Sequence, residues 1–321
     1  MKILTLIFRL IVSFTFIFSG FVKLVDPLGS SYKFQEYFSS DVLNLEFLIP
    51  YALPFSIFLI MAELLLGVML LLGYLPKFTV WSLFIMILIF LFLTWYSAYY
   101  NKVLDCGCFG DAVKLSPWET FYKNVALLAF ILVLLFTTKH IRPLLSLTFA
   151  KWATFLSFFA FLYITYHVLV HLPIIDFRPY AIGKNIPDGM KASGPELPPI
   201  HDFYLESNDG NNLTEAVLQE DKVMLIVAYN LLKSDREGFP KIKTVTDQAL
   251  KNGYKIYLLT ASSEKDFLSL KAEFDFNFEL LFCDETTLKT IIRANPGIVT
   301  LQKGTVTGKW NWIDADEVFV N

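Results

Sequence analysis

Tyr51–Gly73, YALPFSIFLIMAELLLGVMLLLG, is the stretch that decides the fold: it carries one charged residue, Glu63, and one internal glycine, Gly67. A helix needs roughly 20 apolar residues to cross the hydrocarbon core of a bilayer, and this run supplies them without a gap. Four further segments read the same way, from about Ile3 to Val22, Phe78 to Ala98, Phe121 to Thr138 and Trp152 to Leu172. Composition agrees. Of 321 residues 55% are hydrophobic, 17% aromatic and only 18% charged, with a mean hydropathy of +0.51, which is too apolar for a water-soluble globule. The net charge of -3 includes no basic cluster able to neutralise a phosphate backbone, so nucleic acid is excluded as a partner.

The expected fold class is a membrane all-α helical bundle of about five transmembrane helices, followed by a soluble α/β domain. The first apolar run follows Lys2 as a secretory signal would, but it is too long and ends at Phe18–Lys23 without a small-x-small cleavage site. It reads as a retained anchor. Positive-inside bias sets the expected orientation. A cytoplasmic amino terminus puts Lys2, Lys77 and the group Lys139, His140, Arg142 and Lys151 inside, and places the acidic loop Lys23 to Pro50 outside. Arg9, within the first span, is expected to snorkel toward the inner surface. Five crossings leave everything after Leu172 extracytoplasmic, on the oxidising side where disulfides persist. A bacterial inner membrane with a periplasmic carboxy-terminal domain is the matching location.

The expected organisation is a four-helix membrane domain over 1–140, a fifth membrane helix over 141–172, a proline-rich linker over 173–200 and a soluble domain over 201–321. The linker reading rests on Pro173, Pro179, Pro187, Pro195, Pro198 and Pro199, interspersed with Gly183, Gly189 and Gly194. Beyond it, KVMLIVAY at Lys222–Tyr229 reads as a strand buried on both faces, Arg236 to Asn252 as a helix, and Tyr254 to Thr260 as a second strand. A helix from Ser263 to Phe274, a short strand Phe278 to Cys283, a helix capped by Asp284 and two strands joined at Lys303-Gly304 complete the pattern. That order suits parallel strands with crossovers and a terminal hairpin.

Chemistry is expected at Asp105-Cys106-Gly107-Cys108-Phe109-Gly110-Asp111, a short polar loop between the third and fourth spans. Joining cysteines two residues apart forces an awkward backbone that glycine tolerates best. A strained disulfide of that kind is a labile or catalytic one. Three readings stand: a redox pair, an inert structural turn, and a metal site. The last is the poorest, because two thiolates one residue apart chelate badly and no histidine or second cysteine pair stands close by. Downstream, Ser116-Pro117-Trp118-Glu119 has the form of a capping box that starts the fourth span.

Two other features carry alternatives. Glu63 lies in mid-membrane, where a carboxylate is costly and faces the bundle interior; it reads as a proton relay, or as a structural group protonated or paired with Lys23. His167 and His171 have the i,i+4 spacing of a ligand pair, but without further ligands they read as interface histidines.

Phe18-Ser19-Gly20-Phe21-Val22-Lys23-Leu24, Glu63 with Gly67 and Leu70 to Gly73, and Asp105 to Asp111 together resemble the DoxX-like superfamily, in its MauE-type (methylamine-utilisation) branch, over about Met1 to Thr138. That resemblance implies a membrane bundle engaged in disulfide formation or maturation of exported proteins. The last 120 or so residues resemble a thioredoxin-like domain, on element order and on Pro296 followed by Gly304. In that family the proline is cis and faces a dithiol. Where the dithiol belongs, this chain has Asn230-Leu231-Leu232-Lys233-Ser234-Asp235, with no cysteine. Cys283 is the one thiol there, and reads either as a buried strand residue or as a thiol exchanging with Cys106 and Cys108.

The function expected is thiol/disulfide redox or maturation of exported proteins through Cys106 and Cys108, as a possible thiol-disulfide oxidoreductase. A membrane quinone is the cofactor this calls for, lipid the surroundings, and an exported thiol protein or periplasmic redox protein the partner. The alternative is a non-catalytic scaffold or assembly factor in which the loop is structural and the thioredoxin-like domain only docks.

Overall fold

The computed structural model describes residues 1–103, 110–113, 115–192 and 197–318. The Cys106-Gly107-Cys108 triplet lies outside them. The chain forms two compact units, Met1–Leu169 and Val170–Asn321.

The first unit holds the five apolar helices expected, each long enough to span a membrane: α1 (Lys2–Val25), α3 (Ala52–Leu72), α4 (Pro76–Tyr100), α5 (Pro117–Thr137) and α6 (Leu147–Val170). A further helix, α2 (Pro27–Phe38), stands in the acidic segment read as a loop. Asp26 caps it by accepting from the Gly29 amide, and Pro27 sits where a missing N–H costs nothing. Tyr37 and Phe38 then pack with Ala52 and Val103, and the Tyr37 hydroxyl lies 2.9 Å from Ser97 Oγ. The core of the unit is built from Val12 and Phe16 of α1, Leu66 and Leu70 of α3, Leu83 and Ile87 of α4, and Ile131 and Leu134 of α5. On α6 only Ala150, Thr165 and Val168 are buried, so most of that helix offers its side chains to lipid.

Arg9 does reach toward the end of the bundle, but into protein and not into water: the residue is 4% exposed, and its guanidinium donates to the Leu70, Leu71 and Arg142 carbonyls at 2.8, 2.7 and 2.9 Å. Those at Leu70 and Leu71 are terminal carbonyls of α3, which lack partners within the helix. In a medium without water an arginine is held by satisfying such groups.

The second unit is a six-stranded mixed sheet of order β1-β4-β3-β2-β5-β6. In chain order its elements are α7 (Ile186–Gly189), β1 (Glu206–Ser207), α8 (Thr214–Gln219), β2 (Val223–Val227), α9 (Gly238–Lys251), β3 (Lys255–Thr260), α10 (Glu264–Phe274), β4 (Glu279–Phe282), α11 (Glu285–Ile291), β5 (Gly297–Gln302) and β6 (Thr305–Asn311). Strands β2, β3 and β4 run parallel, while β5 pairs antiparallel with both β2 and β6. The central strand is buried at every residue because both faces are covered. Val223, Leu225 and Val227 join Leu205, Val217 and Leu288 on one face; Met224 and Ile226 join Phe239, Ile242 and Phe267 on the other. Asp284 caps α11 as its position predicts, accepting from the Thr286 and Thr287 amides.

Tyr180, Ile186 and Ile200, from the proline-rich stretch read as a linker, lie in the first of these cores. The same stretch lines the β6 edge: the Gly183 amide donates to Val306 O, Val306 N to Lys184 O, and Ile186 N to Gly304 O. An ion cluster fixes its start. Asp176 accepts from Arg178 at 2.7 Å and from Lys309 of β6 at 2.6 Å, and Lys309 also donates to Tyr180 O. Burial alone would raise Asp176, but the two cations outweigh it and hold its carboxyl below the usual range. One carboxylate cannot neutralise both neighbours. Burial, then the Arg178 charge, bring Lys309 down from 10.5 to about 7.

Between those two values the unfolded chain holds a proton on Lys309 that the folded chain has released, so this group makes stability rise with pH across that window. Limited proteolysis within the second unit, as a function of urea, should show the resistance climbing from about pH 7 to pH 9, and Lys309→Met should flatten the climb.

Candidate functional site

Helices α1 and α3 meet along a seam of small residues. A Cβ on Gly20 would stand 2.7 Å from Leu64 Cγ, and one on Gly67 would stand 2.9 Å from Ile17 Cγ1. The two backbones approach only because both positions lack a side chain. That approach brings Lys23, near the end of α1, onto Glu63, in the middle of α3. Lys23 Nζ lies 2.8 and 3.1 Å from the two Glu63 oxygens, 2.7 Å from Ser19 Oγ and 5.7 Å from the Phe90 ring centroid. Glu63 is 1% exposed and Lys23 8%. The carboxylate that sequence singled out therefore has its lysine partner.

Beside the pair lies a narrow cleft, with Ser19, Glu63, Lys123 and Asn124 set among apolar walls that include Phe16 and Phe90. Asn124 donates to Thr94 Oγ1 at 3.3 Å, which joins α5 to α4 next to the cleft. Sequence reasoning missed Asn124 and Ser19; a polar residue within an apolar span was the available signal.

Cys106 and Cys108 lie outside the described residues, but their downstream flank does not. Gly110 opens a short 3-10 turn, Gly110–Ala112, and a Cβ there would stand 3.1 Å from Cγ1 of Val22, the neighbour of Lys23. The capping box is formed as expected: the Ser116 amide donates to Glu119 Oε2 at 2.8 Å, and Glu119 N donates to Ser116 Oγ at 3.3 Å.

In the second unit, the position where a dithiol is expected is filled by a hydrogen-bonded staple. Ser234 Oγ donates to Asn230 O and lies 3.0 Å from Asn295 Oδ1, Asn295 Nδ2 donates to Asn230 O, and Asp235 N donates to Asn295 O. The Asn295–Pro296 peptide is cis, as the family comparison expects. Cys283 follows β4 and is 7% exposed within the core. Burial, above all, pushes its thiol up to about 12, so it holds little thiolate at neutral pH. His167 stacks on Tyr163 in the first unit, and His171 Nδ1 lies 2.6 Å from Asp314 Oδ1 in the second.

The arrangement in the membrane unit can be compared with known proteins. Residues 1–137 match the family described as methylamine utilisation protein MauE. No curated protein matches the chain. Among solved structures, the thioredoxin domain of a thiol-disulfide oxidoreductase from Bacteroides vulgatus is 16% identical, covering 44% of this chain and 99% of that one with a TM-score of 0.32. A thioredoxin-like protein from Bacteroides caccae is 13% identical, covering 81% of this chain and 78% of that one with a TM-score of 0.28. The description of the second unit as thioredoxin-like rests on its own strand order and crossovers.

A buried ion pair broken on one side leaves a bare charge, at a cost of roughly 3–5 kcal/mol, whereas apolar replacement of both partners is often tolerated. Lys23→Met and Glu63→Leu should each lower thermal stability of the detergent-solubilised protein, and the double variant should recover most of the loss.

Proposed function

We propose that this membrane protein carries out thiol/disulfide exchange in the maturation of exported proteins, with Cys106 and Cys108 as the reacting pair. Three observations support the reading. Residues 1–137 match a methylamine-utilisation family, that segment contains two cysteines separated by a glycine, and Gly110, on the flank of their loop, packs on Val22 of α1. The last of these carries it: Gly110, two residues after Cys108, packs against Val22, which precedes Lys23 in α1.

In the oxidising direction, the thiolate of a partner protein attacks one sulfur of the Cys106–Cys108 disulfide and forms a mixed disulfide, displacing the other sulfur as a thiolate. The partner's second thiolate then attacks its own sulfur in that link. The partner leaves oxidised, and Cys106 and Cys108 are left as a dithiol carrying two electrons and two protons. A membrane quinone is the acceptor this cycle calls for; where bound, it would supply a two-electron, two-proton sink for the dithiol. The cleft beside Glu63 admits about one water molecule and not a quinone ring, so neither Asn124 nor Lys123 is assigned to hold one. On this reading Glu63 and Lys23 would pass the protons. The cycle requires the cysteines on the extracytoplasmic side of the bacterial inner membrane, in keeping with the lysine and arginine bias of the loops.

The second unit takes a different role. It has no dithiol, its loops are stapled at Asn230 and Asn295, and Cys283 is buried. It serves as the docking module for the exported or periplasmic thiol protein.

Alkylation of intact membranes before and after mild reductant, read by mass, tests the chemistry. Two additional labels per chain are expected after reduction, with Cys283 modified only on unfolding. Cys106→Ser and Cys108→Ser should differ, one of them accumulating a mixed disulfide with its partner. A pair that stays oxidised through reductant, with no adduct in either variant, would establish the scaffold reading instead.

A further inference from the structure

The segment that opens the second unit, residues 171–183, has its charged and apolar side chains arranged the wrong way round for water. Asp176 and Arg178 are its only Asp, Glu, Lys or Arg residues. Both turn inward: their side chains are 16% and 3% exposed, paired with each other and, through Asp176, with Lys309. Ile174, Ile175, Phe177 and Ile182 turn outward and are 58%, 42%, 39% and 61% exposed. Single exposed apolar residues are ordinary on a soluble surface, but buried charges alongside a run of exposed large apolar ones are not.

The backing of this segment is firm. Its first residue is held by Asp314 on the His171 ring and by Asn311 Nδ2 donating to His171 O at 3.1 Å. Its last is held by the Gly183 amide donating to Val306 O at 2.8 Å. The apolar side chains therefore stand on a braced support.

What covers them follows from the chain. Ile174 comes four residues after Val170, where α6 ends, and four residues reach at most about 14 Å. The headgroup zone outside the hydrocarbon core is roughly 5–8 Å deep on each side. Ile174, Ile175 and Phe177 therefore begin within reach of that zone, and Ile182 continues the same exposed apolar run. We propose that Ile174, Ile175, Phe177 and Ile182 form a lipid-binding surface that seats the start of the second unit in the headgroup–acyl boundary of the leaflet where α6 ends. This surface is independent of the redox reading.

The test uses the full chain in liposomes whose acyl chains carry bromine, which quenches tryptophan emission on contact. Ile175→Trp and, as a second placement, Ile182→Trp should each add emission that is blue-shifted and mostly lost in brominated lipid. Leu232→Trp, at a 79% exposed position elsewhere in the same unit, should add emission that the bromine leaves untouched. Added emission at 175 and 182 that escapes quenching as fully as that at 232 would overturn the proposal.

Discussion

The contact on which the membrane unit depends is the 2.8 Å pair between Lys23 and Glu63. Neither charge is tolerable alone at that depth, since hydrocarbon offers nothing to solvate it. Their meeting requires α1 and α3 to cross closely, and Gly20 and Gly67 permit the crossing. Ser19 and the Phe90 ring then complete the ammonium's surroundings. Such a pair adds little net stability over apolar residues of the same volume, because desolvation cancels much of the attraction. Its effect is on specificity: it fixes the register of two helices and keeps a carboxyl and an amine at one point, beside a cleft.

Arg9 shows a second way for the same unit to hold a charge. Three carbonyls receive the guanidinium, two of them at the end of α3. One basic residue of α1 thus ties to the end of α3 and another to its middle, which accounts for the close packing of these two helices without recourse to apolar attraction, weak between helices already surrounded by lipid.

Period and punctuation made much of this legible beforehand. The unbroken run Tyr51–Gly73 could only be a span, and KVMLIVAY, apolar on both alternating faces, could only be a strand covered on both sides. Asp284 and Ser116-Pro117-Trp118-Glu119 announced helix starts by local chemistry, and both caps formed. What sequence hid was settled at a distance. Arg9 pointed to water by its length, but its acceptors lie 61 to 133 residues away. Helix α2 hid in an acidic segment because its weak amphipathic pattern gains meaning only when Tyr37 and Phe38 find Ala52 and Val103. Residues 173–200 looked like a connector by proline content, yet Tyr180, Ile186 and Ile200 find a core made by strand residues from Val223 to Val306. At the candidate site, Glu63 was legible as an anomaly; that Lys23 answers it, and that Asn124 and Ser19 share its cleft, depended on helix packing.

A thioredoxin-like unit without its dithiol is useful on the proposed reading because of concentration. A partner held by one part of a chain meets a reactive group in another part as an intramolecular event, at an effective concentration that for short flexible tethers is on the order of mM. Weak docking then suffices, and weak docking lets an oxidised partner leave. The length and freedom of the tether set that concentration. Here the tether is shortened by its own chemistry: Asp176, Arg178 and Lys309 consume one another, the Gly183 and Ile186 amides are taken by the β5–β6 hairpin, and His171 is held by Asp314. Residues 171–186 are thereby held within the second unit itself, so on the proposed reading they belong to the docking module and not to a flexible tether.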